Sequence, residues 1–350
     1  MDLKQLISVA VENGASDIHI TPGTPPIIRC NGELLRVGKD KLTPEESAGF
    51  AEEIFKIADY RAAFEERGEI DFSFAFENFG RFRVNVYKQR GSIAIAIRLI
   101  PMEIPDIGFL GLPDSVVKLA YKTRGLVLVT GPTGAGKSTT LAALINKINE
   151  ERNCHIITLE DPIEYLHKHK TGIVNQREIG IDSKTFANAL RAALREDPDV
   201  IMIGEMRDQE TIATALTAAE TGHLVFGTLH TMGASKTIDR IVDSFPESQQ
   251  QQVRVQLSSV LQSVITQQLI SANDKVVPAF EVMMVTHGVA NMIRESKTHQ
   301  IDNLIQTGNR YGMQTMDGTL MGLYKQGKIT KEDVLAYCFD PEIMEKMLID

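Results

Sequence analysis

One short segment of the sequence constrains the fold more than any other. Residues 131–138 read Gly-Pro-Thr-Gly-Ala-Gly-Lys-Ser, and they lie between an apolar run at residues 126–129 and a helix-forming stretch at residues 139–148. A glycine-rich turn between a strand and a helix can point its N–H groups and the helix N-terminus at one anion. The segment therefore predicts an α/β domain with a phosphate site at the end of a parallel strand.

The residue types in this turn also suggest the ligand. Lys137 would reach the terminal phosphates of a nucleotide, and the Ser138 hydroxyl would hold Mg²⁺, so the pattern implies ATP and Mg²⁺ as cofactors. The predicted nucleotide-binding residues are Gly131, Thr133, Gly134, Ala135, Gly136, Lys137, Ser138 and Thr139. The alternative is a glycine-rich turn without a ligand, which would not need a lysine and a serine at the start of its helix.

Acidic residues follow two further apolar runs. One run ends in Glu160, with Glu164 shortly after it, and the next ends in Gly204 and Glu205. P-loop enzymes place the acid that handles magnesium and water at such strand ends. Gly204 stands where an aspartate is common, so Glu160 and Glu164 could share the acidic work with Glu205. The alternative is that these carboxylates are solvated and cap the following helices.

Two histidines flank another apolar run, His223 before it and His230 after it. Along an extended strand their rings would be on the order of 20 Å apart, which is too far for both to bind one metal ion. His230 is at the carboxyl end, where it is predicted to hydrogen-bond near the γ-phosphate and to report its presence. A plain structural role is the alternative for both histidines.

The first hundred residues have the pattern of an α+β domain without a phosphate loop. Residues 43–46 combine an N-cap threonine, a proline and a capping-box glutamate, which predicts a helix start. Phenylalanines alternate over residues 72–76, and apolar residues alternate again over 82–86, which predicts two antiparallel strands around a turn at 78–80. Prolines and glycines concentrated between residues 101 and 113 predict a linker.

Composition excludes several classes of protein. The formal charge of -9 disfavours sequence-independent binding to nucleic acid, which depends on lysine and arginine. Cys30, Cys154 and Cys338 lie far apart, so we expect free thiols in a reducing cytosol. No signal peptide is recognisable, and no stretch approaches the roughly 18 apolar residues of a spanning helix. We therefore expect a cytoplasmic protein without direct membrane insertion, which reaches a membrane only through partners.

Four segments stand in a fixed order, GPTGAGKST, ITLEDPIEY, DVIMIGEMRD and TGHLVFGTLHT. Together they resemble the Walker A, Asp box, Walker B and His box of the secretion ATPase superfamily. The similarity to its PilT-type members, the retraction ATPases of type IV pili, extends from SDIHI through RFRVN to GMQTMDGTL and YCFDPE and covers essentially the whole chain. Retraction members carry an AIRNLIRE motif near the C-terminus; residues 288–295 here read GVANMIRE, in which Ala290 replaces the first arginine.

The resemblance implies a fold and an assembly. It implies a PAS-like α+β domain over residues 1–99, a linker over 100–112 and a RecA-like P-loop ATPase domain over 113–271. Residues 272–350 would form a mainly helical C-terminal part of that domain. The family further implies a homohexamer with ATP between neighbouring subunits, which acts on a platform protein of the inner membrane from its cytoplasmic face and powers pilus retraction and twitching motility.

The resemblance also suggests catalytic residues from the N-terminal domain. Arg83 and Arg98 sit at positions matching arginines that reach the nucleotide phosphates, and Arg81 is a weaker candidate. A guanidinium suits this task because it stays charged and its fork of donors matches phosphate oxygens. Ordinary surface arginines are the alternative. With Glu160, Glu164, Glu205 and His230 these arginines complete the predicted catalytic set, in which the general base is left open among the three glutamates.

Competing functions follow from the same residues. A pilus extension or secretion ATPase of the superfamily is the nearest alternative, although such members usually carry an extra N-terminal domain and a tetracysteine insertion, which this sequence lacks. A nucleic-acid motor would need DNA-stimulated turnover with a steep salt dependence. A nucleotide-gated scaffold would bind ATP without hydrolysing it, and a small-molecule kinase would need an acceptor pocket that the sequence does not reveal.

Overall fold

The chain forms two compact units. The computed structural model describes residues 1–30, 32–76, 79–101, 103–272 and 275–349. One unit comprises Met1–Glu103 with Glu164–Leu166, and the other comprises Ile104–Ile163 with His167–Asp350. The division at Glu103 falls within residues 100–112, the stretch proposed as a linker; the domain bounds themselves stay a prediction.

The N-terminal unit combines an antiparallel sheet with three helices. Its strands are β1 Asp17–Ile20, β2 Ile27–Cys30, β3 Glu33–Arg36, β4 Glu69–Phe76, β5 Gly80–Gln89 and β6 Ser92–Leu99. Its helices are α1 Leu3–Glu12, α2 Pro44–Ile57 and α3 Arg61–Arg67. The six strands are ordered β3-β2-β1-β6-β5-β4, and each pairs antiparallel with its neighbours. The predicted α+β N-terminal domain is confirmed.

Local sequence signals explain two of these elements. Thr43 accepts a hydrogen bond from the N–H of Glu46, whose side chain accepts from the N–H of Thr43, so α2 begins at the predicted capping box. Strands β4 and β5 pair with Phe74 opposite Phe82, and both rings are buried. The alternation of residue types therefore placed this hairpin, although Asn78 of the predicted turn lies outside the described residues.

The second unit is built on a seven-stranded sheet. Its strands are β7 Gly125–Thr130, β8 His155–Glu160, β9 Ile173–Glu178, β10 Val200–Ile203, β11 Leu224–Leu229, β12 Leu261–Ala272 and β13 Lys275–Met284. Their order is β13-β12-β7-β11-β10-β8-β9. All neighbours are parallel except β12 and β13, which pair antiparallel at one edge.

Helices cover both faces of this sheet. They are α4 Asp114–Val117, α5 Lys137–Glu151, α6 Phe186–Ala193, α7 Gln209–Glu220, α8 Ala234–Asp243, α9 Glu247–Val260, α10 His287–Arg294, α11 Ile301–Thr307, α12 Met316–Lys325, α13 Lys331–Tyr337 and α14 Pro341–Met347. Along β7, Leu126 and Leu128 pack into one apolar cluster, whereas Val127 and Val129 pack into another. A strand buried on both faces must be a continuous apolar run, which is why the sequence located these strands well. The predicted ATPase-type α/β fold is confirmed.

The C-terminal part is less uniform than the sequence suggested. Residues 272–350 were expected to be mainly helical, and they contain the helices α10 to α14, but they begin with β13. The pair β12 and β13 was not predicted. Buried polar residues, such as Gln267 on β12 and Glu281 on β13, interrupt the apolar runs that marked the other strands.

Glu281 is a buried carboxylate that joins β13 to two helices. It is 4% exposed, and its Oε1 accepts a hydrogen bond from the N–H of Ala234, the first residue of α8, at 2.9 Å. Burial raises the pKa of Glu281 to about 7. The N–H groups of Ala234 and Met316 oppose this rise. The neighbouring carboxylates Asp302 and Asp317 add to it, so the protonated form is favoured in the fold.

We expect Glu281→Gln to remove a pH dependence of stability. An acid whose pKa is raised by folding loses stability as the pH climbs from its unfolded value, 4.5, through its folded value of about 7. Over that window the wild type should lose up to about 1.4 kcal/mol per pH unit relative to Glu281→Gln, which cannot ionise. Urea unfolding between about pH 5 and pH 8 measures this. With the exposed Glu247→Gln as control, parallel curves for wild type and Glu281→Gln would contradict the expectation.

Candidate functional site

The predicted site residues of the second unit meet at the edge of the sheet where its parallel strands end. Strands β8, β10, β11 and β7 are consecutive neighbours, and their register aligns their carboxyl ends. Glu160 is the last residue of β8, and His230 directly follows β11. One residue separates Glu205 from the end of β10. The glycine-rich turn, residues 131–136, joins β7 to α5 at the same edge. Four segments far apart in sequence therefore converge because the sheet is parallel.

The glycine-rich turn lies tightly against β12. Gly131 has φ of +137°, and a Cβ atom at this position would overlap the carbonyl oxygen of Gln267. Gly136 caps α5 with φ of +81°, and its Cβ would lie 2.9 Å from the side-chain nitrogen of Gln267. Gly134, with φ of +80°, has open space around it. The turn thus requires glycine for conformation at all three positions and also for space at Gly131 and Gly136.

Lys137 places a cation inside the turn. It is the first residue of α5 and is 9% exposed. Its Nζ donates to the carbonyl oxygens of Gly131 at 2.8 Å and Pro132 at 2.9 Å. A buried ammonium group at the N-terminus of a 15-residue helix, beside N–H groups of a positive-φ turn, is suited to bind a phosphate. Ser138 and Thr139 follow it in the first turn of the same helix.

His230 connects Lys137 to Glu205. Its Nδ1 lies 3.5 Å from the Nζ of Lys137, and its Nε2 lies 3.0 Å from the Oε1 of Glu205. One neutral tautomer satisfies both contacts, with Nε2 donating to the carboxylate and Nδ1 accepting from the ammonium group. Glu205 also pairs with Arg207, and this bond raises the pKa of the guanidinium. The structure therefore brings three predicted site residues into direct contact.

The glycine at position 204 has a steric explanation. The N–H of Gly204 donates to the carbonyl of Leu159 at 2.7 Å. A Cβ at this position would lie 3.1 Å from that oxygen and 3.3 Å from the Cα of Glu160. An aspartate here would press on the strand that carries Glu160, which accounts for the departure from the usual acidic residue.

Glu160 is held by neutral donors. It is 8% exposed, and its Oε1 accepts from the hydroxyl of Thr158 at 2.7 Å and from the amide of Gln176 at 3.1 Å. Sequence analysis missed both donors. Thr158 stands two residues before Glu160, so period-two alternation could have placed it on the same face. Glu164 is exposed and belongs to Glu164–Leu166, which groups with the N-terminal unit.

His223, which directly precedes β11, has a structural role. The Nδ1 of His223 donates to the carbonyl of Ala218 at 2.9 Å, near the end of α7. Its backbone N–H donates to the same carbonyl at 3.1 Å. His223 therefore satisfies a carbonyl at the C-terminus of a helix, whereas His230 faces the site.

Arg83 and Arg98 lie in the N-terminal unit, directly opposite each other on β5 and β6. Arg83 pairs with Asp71, with Nη2 to Oδ2 at 2.6 Å, and Arg98 pairs with Asp17 at 3.0 Å. Burial alone would raise the pKa of Asp17, but hydrogen bonds from Arg98 and Ser16 hold it below its usual range. The role of these arginines at phosphates stays a prediction.

Three further observations concern membrane-spanning helices, the cysteines and the C-terminal motif. No helix in the described part of the chain is long and apolar enough to cross a membrane. Cys30, Cys154 and Cys338 are free thiols. The segment at residues 288–295 lies mostly in α10, where Val289 and Ile293 are buried against the core.

Comparisons with known proteins extend over most of the chain. Residues 1–317 match the family described as Type II/IV secretion system protein. The chain is 47% identical over 343 residues to the type IV pilus retractation ATPase PilT of Pseudomonas aeruginosa, which covers 98% of this chain and 99% of that protein. It is 48% identical to a twitching motility protein of Neisseria gonorrhoeae, over 88% of this chain and 82% of the relative.

Solved structures agree with this likeness. The crystal structure of the pilus retraction motor PilT with bound ADP has a TM-score of 0.92 and 51% identity, and the match covers 99% of this chain and all (100%) of that chain. The ATPase DotB of Legionella pneumophila has a TM-score of 0.82 and 29% identity, with 99% of this chain and 95% of DotB covered.

We expect Gly131→Ala to weaken nucleotide binding far more than Gly134→Ala. Both alanines would have a left-handed φ, which costs roughly 1–2 kcal/mol. Only the Gly131 variant would also overlap the Gln267 carbonyl, which displaces the turn. We expect its affinity for ATP to fall by about tenfold or more beyond that of Gly134→Ala. Titration with a fluorescent ATP analogue measures the difference, and equal affinities for the two variants would show that the close approach to β12 does not shape the turn.

Proposed function

The chain belongs to the Type II/IV secretion system protein family, and from that membership we propose that it is a motor that hydrolyses ATP to retract type IV pili and so drives twitching motility. The observation that carries the chemistry is the contact chain from Lys137 through His230 to Glu205, formed at the sheet edge where the phosphate loop lies. The names of its relatives, a retraction ATPase and a twitching motility protein, support the process.

The phosphate loop fits ATP with Mg²⁺. Lys137 would leave the carbonyls of Gly131 and Pro132 and pair with phosphate oxygens, while N–H groups of the turn receive the remaining charge. Ser138 would hold the ion, and carboxylates at neighbouring strand ends supply the hard oxygen groups that Mg²⁺ prefers. Bound there, Mg²⁺ would neutralise charge that develops on the transferred phosphoryl group.

Glu160 and Glu205, at the ends of two neighbouring strands, suit different tasks. Glu205 pairs with Arg207 and contacts His230, so its carboxylate belongs to the contact chain that begins at Lys137. Glu160 is nearly buried, and its Oε1 accepts hydrogen bonds from both Thr158 and Gln176. Of the two, Glu160 better fits the group that orients or deprotonates the attacking water in an in-line displacement.

His230 would link phosphate binding to Glu205. It lies within contact of the ammonium group that meets the phosphates and of the carboxylate that follows β10. When Lys137 turns toward a γ-phosphate, the contact at Nδ1 of His230 changes, and the hydrogen bond to Glu205 can change with it. This gives the protein a way to distinguish ATP from ADP at the edge of the sheet.

The assembly follows from the family. We propose a homohexamer in which Arg83 and Arg98 complete the site of a neighbouring subunit, with Glu164 as a further contributor. The ring would work at the cytoplasmic face of the inner membrane on a platform protein of the pilus machinery. The net charge of -9 supports a protein partner over nucleic acid. The direction of force is tested in the native host, where loss of a retraction motor leaves excess surface pili and loss of an extension motor leaves none.

Removing the acid after β10 should stop turnover but spare binding. We expect Glu205→Gln to lower the kcat for ATP by about a hundredfold or more, with ATP affinity within about threefold of the wild type. Lys137→Ala should lose both binding and turnover. Phosphate release and nucleotide titration, with Mg²⁺ present and withheld, measure this. Wild-type turnover in Glu205→Gln would remove Glu205 from the mechanism.

The arginine prediction has a matched control within the same ion pair. Arg83 and Asp71 are 41% and 43% exposed, so breaking their pair costs roughly 1 kcal/mol or less of stability. We expect Arg83→Ala to abolish turnover that rises with protein concentration, and we expect Asp71→Asn, which keeps the arginine, to retain it. Phosphate release at increasing subunit concentration decides the matter. Equal losses in both variants, or turnover indifferent to concentration, would contradict a site shared between subunits.

A further inference from the structure

Thr158, Glu160, Gln176 and Glu178 form one polar face at the pairing of β8 with β9. The two strands are parallel, with Thr158 opposite Gln176 and Glu160 opposite Glu178. Because side chains alternate along a strand, residues two apart share a face. Glu160 and Glu178 are 8% and 3% exposed. A pair of nearly buried carboxylates in adjacent positions needs nearby donors, since an uncompensated buried charge is costly.

The amide of Gln176 holds two groups at once. Its Nε2 donates to the Oε1 of Glu160 at 3.1 Å, and its Oε1 accepts the backbone N–H of His167 at 2.8 Å. An amide plane fixes its donor and acceptor relative to each other, so one side-chain orientation serves both bonds. The bond to His167 attaches Gln176 to the backbone of the loop that joins β8 to β9.

We propose that Gln176 is a positioning residue for Glu160, and that together with Thr158 it sets the direction in which the carboxylate meets the attacking water. The two donors converge on the same oxygen, Oε1, which fixes the rotation of the carboxylate about its terminal bond. A base acts efficiently only when its accepting oxygen is held in line with the proton that it removes. This inference rests on the proposed function, in which Glu160 acts on water.

The surroundings favour this role over a purely structural one. Glu178 accepts the N–H of Ile163 at 3.2 Å, so the loop after β8 has an attachment to β9 besides the one that Gln176 makes. His167 contributes only its backbone to Gln176, and burial, followed by the charge of Lys170, lowers the pKa of its ring to about 4. The ring is therefore neutral at the pH of an ordinary assay and does not compete in a pH profile.

The test compares Gln176→Leu and Gln176→Glu with Asn175→Ala as the control. Asn175 is the exposed neighbour on β9 and contacts His155, on the opposite side of the strand from Gln176. We expect Gln176→Leu to lower kcat for ATP roughly tenfold with KM within about threefold. In the pH profile of kcat, the decline on the acid side should also occur at a higher pH than in the wild type. Removal of a donor makes the carboxylate of Glu160 easier to protonate.

Gln176→Glu keeps nearly the same shape and the acceptor for His167, but it replaces the donor with a charged acceptor. A second carboxylate facing Glu160 should raise the pH at which kcat declines on the acid side further than Gln176→Leu does. The inference is overturned if kcat is unchanged, or if it falls equally at every pH with the acid limb in its wild-type place. Glu160→Gln separates the two levels. If Glu160→Gln retains turnover, the role given to Glu160 fails and this inference fails with it. If Glu160→Gln is inactive while both Gln176 variants behave like the wild type, only the role given to Gln176 is wrong.

Discussion

The close approach of the phosphate turn to β12 is the constraint on which the rest of the site depends. Gly131 leaves no room for a side chain beside the carbonyl of Gln267, and the same glutamine accepts a hydrogen bond from Thr140 on α5 at 2.7 Å. Strand β12 therefore fixes both ends of the turn, and the turn fixes Lys137. A cation held in this way loses little entropy when it meets a phosphate, so the fold supplies the preorganisation that binding requires.

The parallel sheet converts this local constraint into a site. Each motif lies at the carboxyl end of a strand, and ladder hydrogen bonds hold the ends of adjacent strands in register. Lys137, His230 and Glu205 consequently form a row of cation, neutral ring and anion across neighbouring strands. In such a row a change at one end alters the hydrogen bond at the other.

Sequence reasoning located what depends on local patterns. Continuous apolar runs identified β7, β8, β10 and β11, and a capping box identified the helix start at Thr43. It failed where distant contacts decide. Strands β12 and β13 bury polar side chains such as Glu281, whose partner Ala234 is 47 residues away. The sequence did not single out Gln176, because its significance arises only when β9 pairs with β8. The place of Glu164 in the catalytic set stays a prediction, since Glu164–Leu166 groups with the N-terminal unit.

The two acids at the sheet edge illustrate how environment assigns chemistry. Glu160 and Glu205 follow adjacent strands and are the same residue type, yet one meets a hydroxyl and an amide while the other meets a guanidinium and an imidazole. The hydroxyl and the amide orient the carboxylate of Glu160, whereas the imidazole joins the carboxylate of Glu205 to Lys137. A motor must both cleave ATP and register that cleavage has happened. Two acids with different partners allow these tasks to be separated, because the group that orients water need not be the group that is linked to Lys137.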